Sequence, residues 1–348
     1  MDTQVMHATE SNINRAGKLI RSGQLVAFPT ETVYGLGANA LLPEAVERIF
    51  EAKGRPSDNP LIVHIHAVSQ VQQLTSGAMN DMQRQLADAY WPGPLTMVMD
   101  KAESVPDEVT AGLQTVGIRM PDHPVARALI RVAGVPIAAP SANLSGRPSP
   151  TTAAHVKQDL DGRVPLILDG GACEVGLEST VLDVTRFPPR VLRPGGITPE
   201  MIARVVGEVE VDPRVLTPLG EHEQPSSPGM KHRHYAPIGQ LTLVTGAVRP
   251  MARRIRDLYD QAEDEGQHAC ILALDSHRPL YGGRSVHTMG RDAQHAAQSL
   301  FGALRQMDEQ QVDVILAEGF QADGLGLALM NRLLRAASFR IIDAGEDI

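Results

Sequence analysis

From residue 9 to residue 22 apolar side chains recur every third or fourth position, at Ile13, Ala16, Leu19 and Ile20, and Gly23 follows. That spacing puts one apolar stripe on a helix and a stop after it. Gln24 to Phe28 is a short apolar run closed by Pro29, which reads as a strand. Pro43 suits a first helical turn, and Val46, Ile49 and Phe50 give that helix a buried face up to Lys53-Gly54. Strands are expected at 61–65, 95–99, 115–119, 136–139, 165–169, 179–184 and 190–193, and helices at 79–90, 123–133, 150–160 and 198–206. Helices and strands interleave, but strands come in pairs towards residue 193. The pattern therefore predicts an α/β layer fold with a mixed sheet rather than a strictly parallel one.

Residues 209–238 break the rhythm. Pro213, Pro218, Pro225, Pro228 and Pro237 fall there with Gly220 and Gly229, and neither helix nor sheet is easily sustained. After them the alternation restarts: strand 240–244, helix 248–264, strand 269–274, helix 292–307, strand 312–317, helix 325–336 and strand 339–343. That is the spacing of a small doubly wound sheet. The expected division is a first domain over 1–208, a linker over 209–238 and a second domain over 239–348.

Composition narrows the function. Aromatic residues make up 3% of the chain, so stacking platforms for single-stranded nucleic acid are scarce. A net charge of −9 argues against a surface built for phosphate, although it leaves room for a local basic cleft. Cys173 and Cys270 lie far apart, which speaks against a disulfide framework or a cysteine zinc site and for a reducing cytoplasm. Residues 1–14 carry no apolar signal core, and no run approaches the roughly 18 apolar residues a membrane span needs, so no membrane is expected.

The familiar nucleotide motifs are absent. There is no G-x-x-x-x-G-K-[ST], and Gly35-Leu36-Gly37 and Gly324-Leu325-Gly326 both lack the third glycine of a dinucleotide fingerprint. What stands out is a series of polar loops at strand ends. Pro29 to Gly37 offers two threonines and two glycines for close backbone approach to a ligand, or is an ordinary polar turn. Lys53-Gly54-Arg55-Pro56 is a stiff basic loop suited to phosphate, or a solvated helix end. Arg119 ends an apolar strand that begins at Thr115, where a carboxylate clamp or an ion pair with Asp122 would account for it. Ala139 to Gly146 has small residues, two hydroxyls and an amide, as a phosphate nest would. The following Ser149-Pro150-Thr151-Thr152 opens a helix that attracts anions or is simply capped by a threonine. His64 and His66 share a strand face, but no carboxylate or cysteine joins them, so no metal site is expected. Glu178-Ser179-Thr180 and Arg193-Pro194-Gly195-Gly196 mark late strand ends. Ser227 to Pro237 carries Lys231, Arg233 and Tyr235, which makes it a candidate lid, with a passive tether as the plainer alternative. Lys53, Arg55, Arg119 and Arg193 together suggest one cleft for at least two anionic groups.

These loops closely resemble the L-threonylcarbamoyladenylate synthase family in its long two-domain form. The matching runs are PTETVYGLG at 29–37, KGRPSDNPLIVHI at 53–65, TVGIRMPDHP at 115–124, APSANLSGRPSPT at 139–151, LESTVLD at 177–183, LRPGGIT at 192–198, SPGMKHRHYAP at 227–237 and EGFQADGLGLALMNRLLRAAS at 318–338. The resemblance implies a YrdC-like first domain, with a twisted mixed open sheet and a large concave cleft, and a smaller Rossmann-like second domain. It implies that ATP, L-threonine and bicarbonate or CO2 give threonylcarbamoyl-AMP and pyrophosphate, with Mg2+ accompanying ATP. The product would pass to a tRNA threonylcarbamoyl transferase complex, with room for a weak tRNA contact. Carried over, Thr32, His64, Arg119, Ala139 and Ser179 would hold threonine. Lys53, Arg55, Asn59, Thr115, Ser141, Asn143, Ser149, Arg193, His234 and Tyr235 would hold ATP, and Lys53 and Arg55 would act in catalysis. The chemistry needs positioning and charge neutralisation more than a protein nucleophile. The alternatives are an RNA-binding module of the translation machinery, which the acidic charge and few aromatics disfavour, and a carbamoyl-transfer maturation factor, whose relatives carry cysteine-rich zinc modules.

Overall fold

The apolar runs of the first half hydrogen-bond into one sheet. The computed structural model describes residues 2–218 and 235–345. Among these the chain forms two compact units, one from residues 2–145 and 149–215, the other from 146–148, 216–218 and 235–345.

The first unit runs β1 (Gln4–His7), α1 (Glu10–Arg21), β2 (Val26–Phe28), β3 (Gly35–Asn39), α2 (Pro43–Lys53), β4 (Ile62–His64), α3 (Asp81–Tyr90), β5 (Leu95–Asp100), α4 (Asp107–Thr110), β6 (Thr115–Arg119), α5 (Pro124–Ala133), β7 (Ile137–Ala138), α6 (Ala153–Leu160), β8 (Leu166–Asp169), β9 (Thr180–Asp183), β10 (Arg190–Arg193), α7 (Pro199–Val206) and β11 (Glu210–Val211). Its described strands form a sheet in the order β1-β8-β2-β3-β7-β4-β6-β5-β9-β10-β11. The sheet is mixed, as the paired strands suggest: β4 lies parallel to β6, β6 antiparallel to β5, and β5 parallel to β9.

The boundaries follow local chemistry. Thr9, Asn80, Thr152 and Thr198 each accept a hydrogen bond from a first-turn N–H and so open α1, α3, α6 and α7. Gly54 and Gly134 close α2 and α5 in the left-handed conformation. Three strands of this unit, β1, β3 and β11, are absent from the periodicity. β3 occupies half of what reads as a polar loop, because an added Cβ at Gly37 would lie 2.7 Å from Phe28 and 2.8 Å from Ile137. β1 pairs with β8 at the sheet edge, largely exposed, so no apolar stripe announces it. Glu210–Val211 pairs with β10, so the first unit extends into the proline-rich stretch.

Alternate residues of the strands face two layers. Tyr34, Leu36, Val63, Met97, Ile118 and Leu182 belong to the larger core. On the other face Val26, Phe28, Ile137 and Leu168 pack with Ile20 of α1 and Leu129 of α5. Farther along that face Ile62, Val98, Val181 and Leu192 form a separate small apolar cluster. The site described below lies at its border.

In the second unit the elements are β12 (Gln240–Thr245), α8 (Val248–Asp264), β13 (Ala269–Ala273), β14 (Val286–Thr288), α9 (Ala293–Glu309), β15 (Val314–Glu318), α10 (Gly324–Ala336) and β16 (Ile341–Asp343). The described strands are all parallel, in the order β14-β13-β15-β12-β16, which is the expected doubly wound arrangement. β14 lies outside the expected alternation because a 3-10 segment, Asp275–Tyr281, replaces the crossover helix before it. α10 is buried from Gly326 to Ala336, including Arg332 and Arg335.

Backbone packs closely behind Ser179. An added Cβ at Gly195 would sit 2.5 Å from the Thr180 nitrogen and 2.6 Å from the Glu178 carbonyl oxygen. Gly195→Ala is expected to cost about 1–3 kcal/mol through overpacking, read as a lower urea-unfolding midpoint. Gly302→Ala, in open space on α9, is expected to leave the midpoint unchanged or slightly raised.

Candidate functional site

The site is built round Arg119, the last residue of β6. Its register partners are His64 on β4 and Thr96 on β5. The guanidinium is buried, with 4% of its side chain exposed. Nε donates to the Gly93 carbonyl at 3.3 Å and Nη1 donates to Thr32 Oγ1 at 2.9 Å. Nη2 lies 2.6 Å from Glu31 Oε1, close enough for an ion pair but outside hydrogen-bond alignment. The partner is Glu31, not the neighbouring Asp122.

The turn that carries Glu31 and Thr32 is locked by Thr30. Thr30 Oγ1 accepts from the N–H groups of Thr32 and Val33 at 3.2 Å each and donates to the Val33 carbonyl at 2.7 Å. A hydroxyl has one proton, so at the 2.8 Å contact between the two threonines Thr32 is the donor. Thr32 Oγ1 is then left as acceptor for Arg119.

His64 is buried beside this pair, and its Nδ1 has no hydrogen-bond partner. Burial, reinforced by the Arg119 charge, holds its imidazole well below the ordinary value, at about 3, against the opposing pull of the Ile62 and Ile137 backbone. It is therefore neutral near pH 7. Burial pushes the Cys173 thiol up to about 12, so it is no thiolate nucleophile.

On the next strands Thr96 Oγ1 lies 2.7 Å from Ser179 Oγ. Arg193, at the end of β10, donates through Nε and Nη2 to the Ser179 carbonyl at 3.1 and 3.0 Å, and through Nη2 to Ser179 Oγ at 3.2 Å. On the other side, His64 is the register partner of Ile137 on β7, and the chain leaving β7 reaches Ala139, Ser141 and Asn143. Lys53 ends α2 and is buried against that segment. Its Nζ donates to the carbonyls of Ser141 and Asn143 at 2.5 and 2.7 Å, and Ser141 Oγ donates to Asn143 Oδ1 at 2.6 Å. Lys53 thus shapes the loop as well as lending it charge.

Arg55 is half-buried and lies over the Phe50 ring at 5.5 Å. Asn59 is fully buried, and among the described residues neither its Oδ1 nor its Nδ2 has a hydrogen-bond partner. Ser149 Oγ donates to Glu178 Oε1 at 2.5 Å. Thr115, at the far end of β6, lines a hollow with Ile62, Val98, Gly117 and Val181. Thr152 caps α6, so capping explains that residue.

The neighbouring strands β7, β4, β6, β5, β9 and β10 thus bring Lys53, His64, Arg119, Ser179 and Arg193 along one stretch of sheet. His234 lies outside the described residues, as do Ser227 to Arg233. Tyr235 lies in the second unit, where its ring stacks 5.2 Å from Phe301 and Arg332 sits 5.8 Å above it. Glu31 and Thr96 border these side chains and have no pattern of their own in the sequence, and Glu178, which marks a strand end there, joins them through Ser149. Two of them stand inside the motifs quoted above, as lone acids in otherwise uncharged turns, and that was the available signal. Among the described residues no three His, Cys, Asp or Glu side chains converge as a metal cage, and no helix is long and apolar enough to cross a membrane.

A family model described as "Telomere recombination" matches residues 18–195, and a second, "Threonylcarbamoyl-AMP synthase, C-terminal domain", matches residues 197–338. The chain is 48% identical to a threonylcarbamoyl-AMP synthase of Pyrococcus abyssi, with 96% of each chain covered. It is 48% identical to one of Bacillus subtilis, covering 98% of this chain and 97% of the relative. Among solved structures, the Pyrococcus abyssi Sua5 protein complexed with L-threonine superposes with a TM-score of 0.90 at 47% identity over 98% of both chains.

The His64 environment has a measurable consequence. Folding holds its pKa near 3, and unfolding returns it to about 6.5, so between those values the unfolded chain binds more protons. This contribution to stability is complete above pH 6.5 and is lost as pH falls towards 3. Between pH 7 and pH 5 the Tm of the natural protein is expected to fall more than that of His64→Gln. Parallel falls would contradict a neutral buried His64.

Proposed function

The chain belongs to the threonylcarbamoyl-AMP synthase family, and we propose that the residues along its β7-to-β10 stretch carry that family's reaction here. ATP, L-threonine and bicarbonate or CO2 combine to threonylcarbamoyl-AMP and pyrophosphate. The amine of threonine adds to CO2 and loses a proton. An oxygen of the resulting carbamate then attacks the α-phosphorus of ATP, and the bond to pyrophosphate breaks. The carrying observation is Arg119: a buried cation at a strand end, with Thr32, His64 and the Thr96–Ser179 pair around it.

In this reading Arg119 meets the threonine carboxylate, and Thr32, His64, Ser179 and the backbone at Ala139 surround the rest. Neutral His64 offers a ring nitrogen without adding charge. Lys53, Arg55, Ser141, Asn143, Ser149 and Arg193 face the phosphates and ribose, and Thr115 and its apolar neighbours accept the base. Asn59 supports this because its buried amide lacks partners that a ligand would supply. Lys53 and Arg55 neutralise charge as pyrophosphate departs. Mg2+ enters with ATP, held by phosphate oxygens and water. That fits a donor set which, among the described residues, has no converging carboxylate cage.

The product is a mixed anhydride prone to hydrolysis, which favours direct handover to a tRNA threonylcarbamoyl transferase complex in the cytoplasm, with a weak tRNA contact at most. The near full-length matches to synthases favour this reading over an RNA-binding module.

Pyrophosphate release from ATP is expected to require both threonine and bicarbonate. Equal release without threonine would refute the assignment. Asn59→Ala is expected to raise the KM for ATP about five- to tenfold, the worth of one neutral hydrogen bond, without changing threonine binding or the unfolding midpoint. A normal KM for ATP would remove Asn59 from the nucleotide site.

A further inference from the structure

Among the described site residues, Glu31 has chemistry that the proposed reaction leaves over. It is 6% exposed, and among the described residues neither carboxylate oxygen has a hydrogen-bond partner. A buried carboxylate holds several acceptor positions, and leaving them empty is costly. Among the described residues its ion pair is with Arg119. Other buried acids nearby are engaged: Glu178 accepts from Ser149.

The charge balance of the pocket points the same way. Without ligand, Arg119 and Glu31 neutralise each other. An α-amino acid is a zwitterion, with its carboxylate and ammonium on one carbon. If Arg119 alone received it, the carboxylate would be paired and the ammonium would be buried with no anion. Arg119 also has little free capacity, since Nε and Nη1 are already donating to Gly93 and Thr32. The Nη2 edge facing Glu31 is the edge a ligand carboxylate can take, and taking it releases Glu31.

We propose that Glu31 is the ammonium receptor of the amino-acid pocket. The ligand carboxylate replaces Glu31 on Arg119, and Glu31 turns its unpartnered oxygens to the ligand N–H donors. One ion pair becomes two, alternating in sign, and the pocket stays neutral. Thr30, by locking the turn, fixes where that carboxylate stands. Glu31 thereby selects α-amino acids over hydroxy acids of the same shape. This rests on the threonine reading above and adds a residue to it.

The test is binding, by calorimetry on the full chain, of L-threonine and of 3-hydroxybutyrate, which is threonine without its amine. The natural protein is expected to bind 3-hydroxybutyrate at least tenfold more weakly than threonine. Glu31→Gln is expected to weaken threonine at least tenfold while leaving 3-hydroxybutyrate unchanged or tighter, because a repelling anion is gone. If Glu31 only holds Arg119 in place, both ligands weaken together in Glu31→Gln, and the proposal falls. It falls equally if the natural protein binds the two ligands alike, a result that needs no variant to fold. If the natural protein binds no threonine, the functional reading itself fails instead.

Discussion

A guanidinium taken out of water at the end of a strand must find an anion and hydrogen-bond acceptors at once, or the fold does not tolerate it. Arg119 is that group here, and the elements near it are arranged to satisfy it. β6 delivers it between His64 and Thr96, the turn after β2 brings Thr32 and Glu31, and the chain before β5 turns the Gly93 carbonyl towards Nε. The same solution suits the amino-acid pocket proposed above. An ion pair with imperfect alignment, a neutral histidine with an unpartnered nitrogen and a fixed threonine hydroxyl are ready for a small zwitterion.

The flanking cations repeat the theme with different partners. Lys53 is held by backbone carbonyls of the 141–143 loop, and Arg193 by the Ser179 carbonyl. Neutral acceptors satisfy the hydrogen bonds of a cation without cancelling its charge. Both side chains are thereby oriented in advance, which is what a polyphosphate site requires. At Arg119 one partner is a carboxylate, so in the proposed pocket ligand binding calls for an exchange of ion pairs.

Much of this was legible before any coordinates. The period of apolar residues located most helices and strands, the paired late strands implied a mixed sheet, and the restart at residue 240 implied the parallel second one. What escaped did so for physical reasons. β3 is written in glycines because the strand packs flat on Phe28, which removes the side-chain alternation that marks a strand. β1 is an exposed edge with no stripe. Along α10, Arg332 and Arg335 look like a solvent-facing helix side, yet both are buried, because tertiary contacts and not the helix period decide their burial. In the site, the cations stood out in an acidic chain, whereas Glu31 gave no pattern of its own. Its meaning comes from an arginine on a strand far later in the chain.

In the proposed pocket the planar fork of Arg119, and not merely its positive charge, organises the amino acid. Arg119→Lys keeps the charge and removes the fork, so calorimetric titration of that variant with L-threonine tests the claim directly. The account predicts at least about a tenfold loss of threonine affinity with ATP affinity unchanged. Threonine binding as tight as that of the natural protein would contradict it.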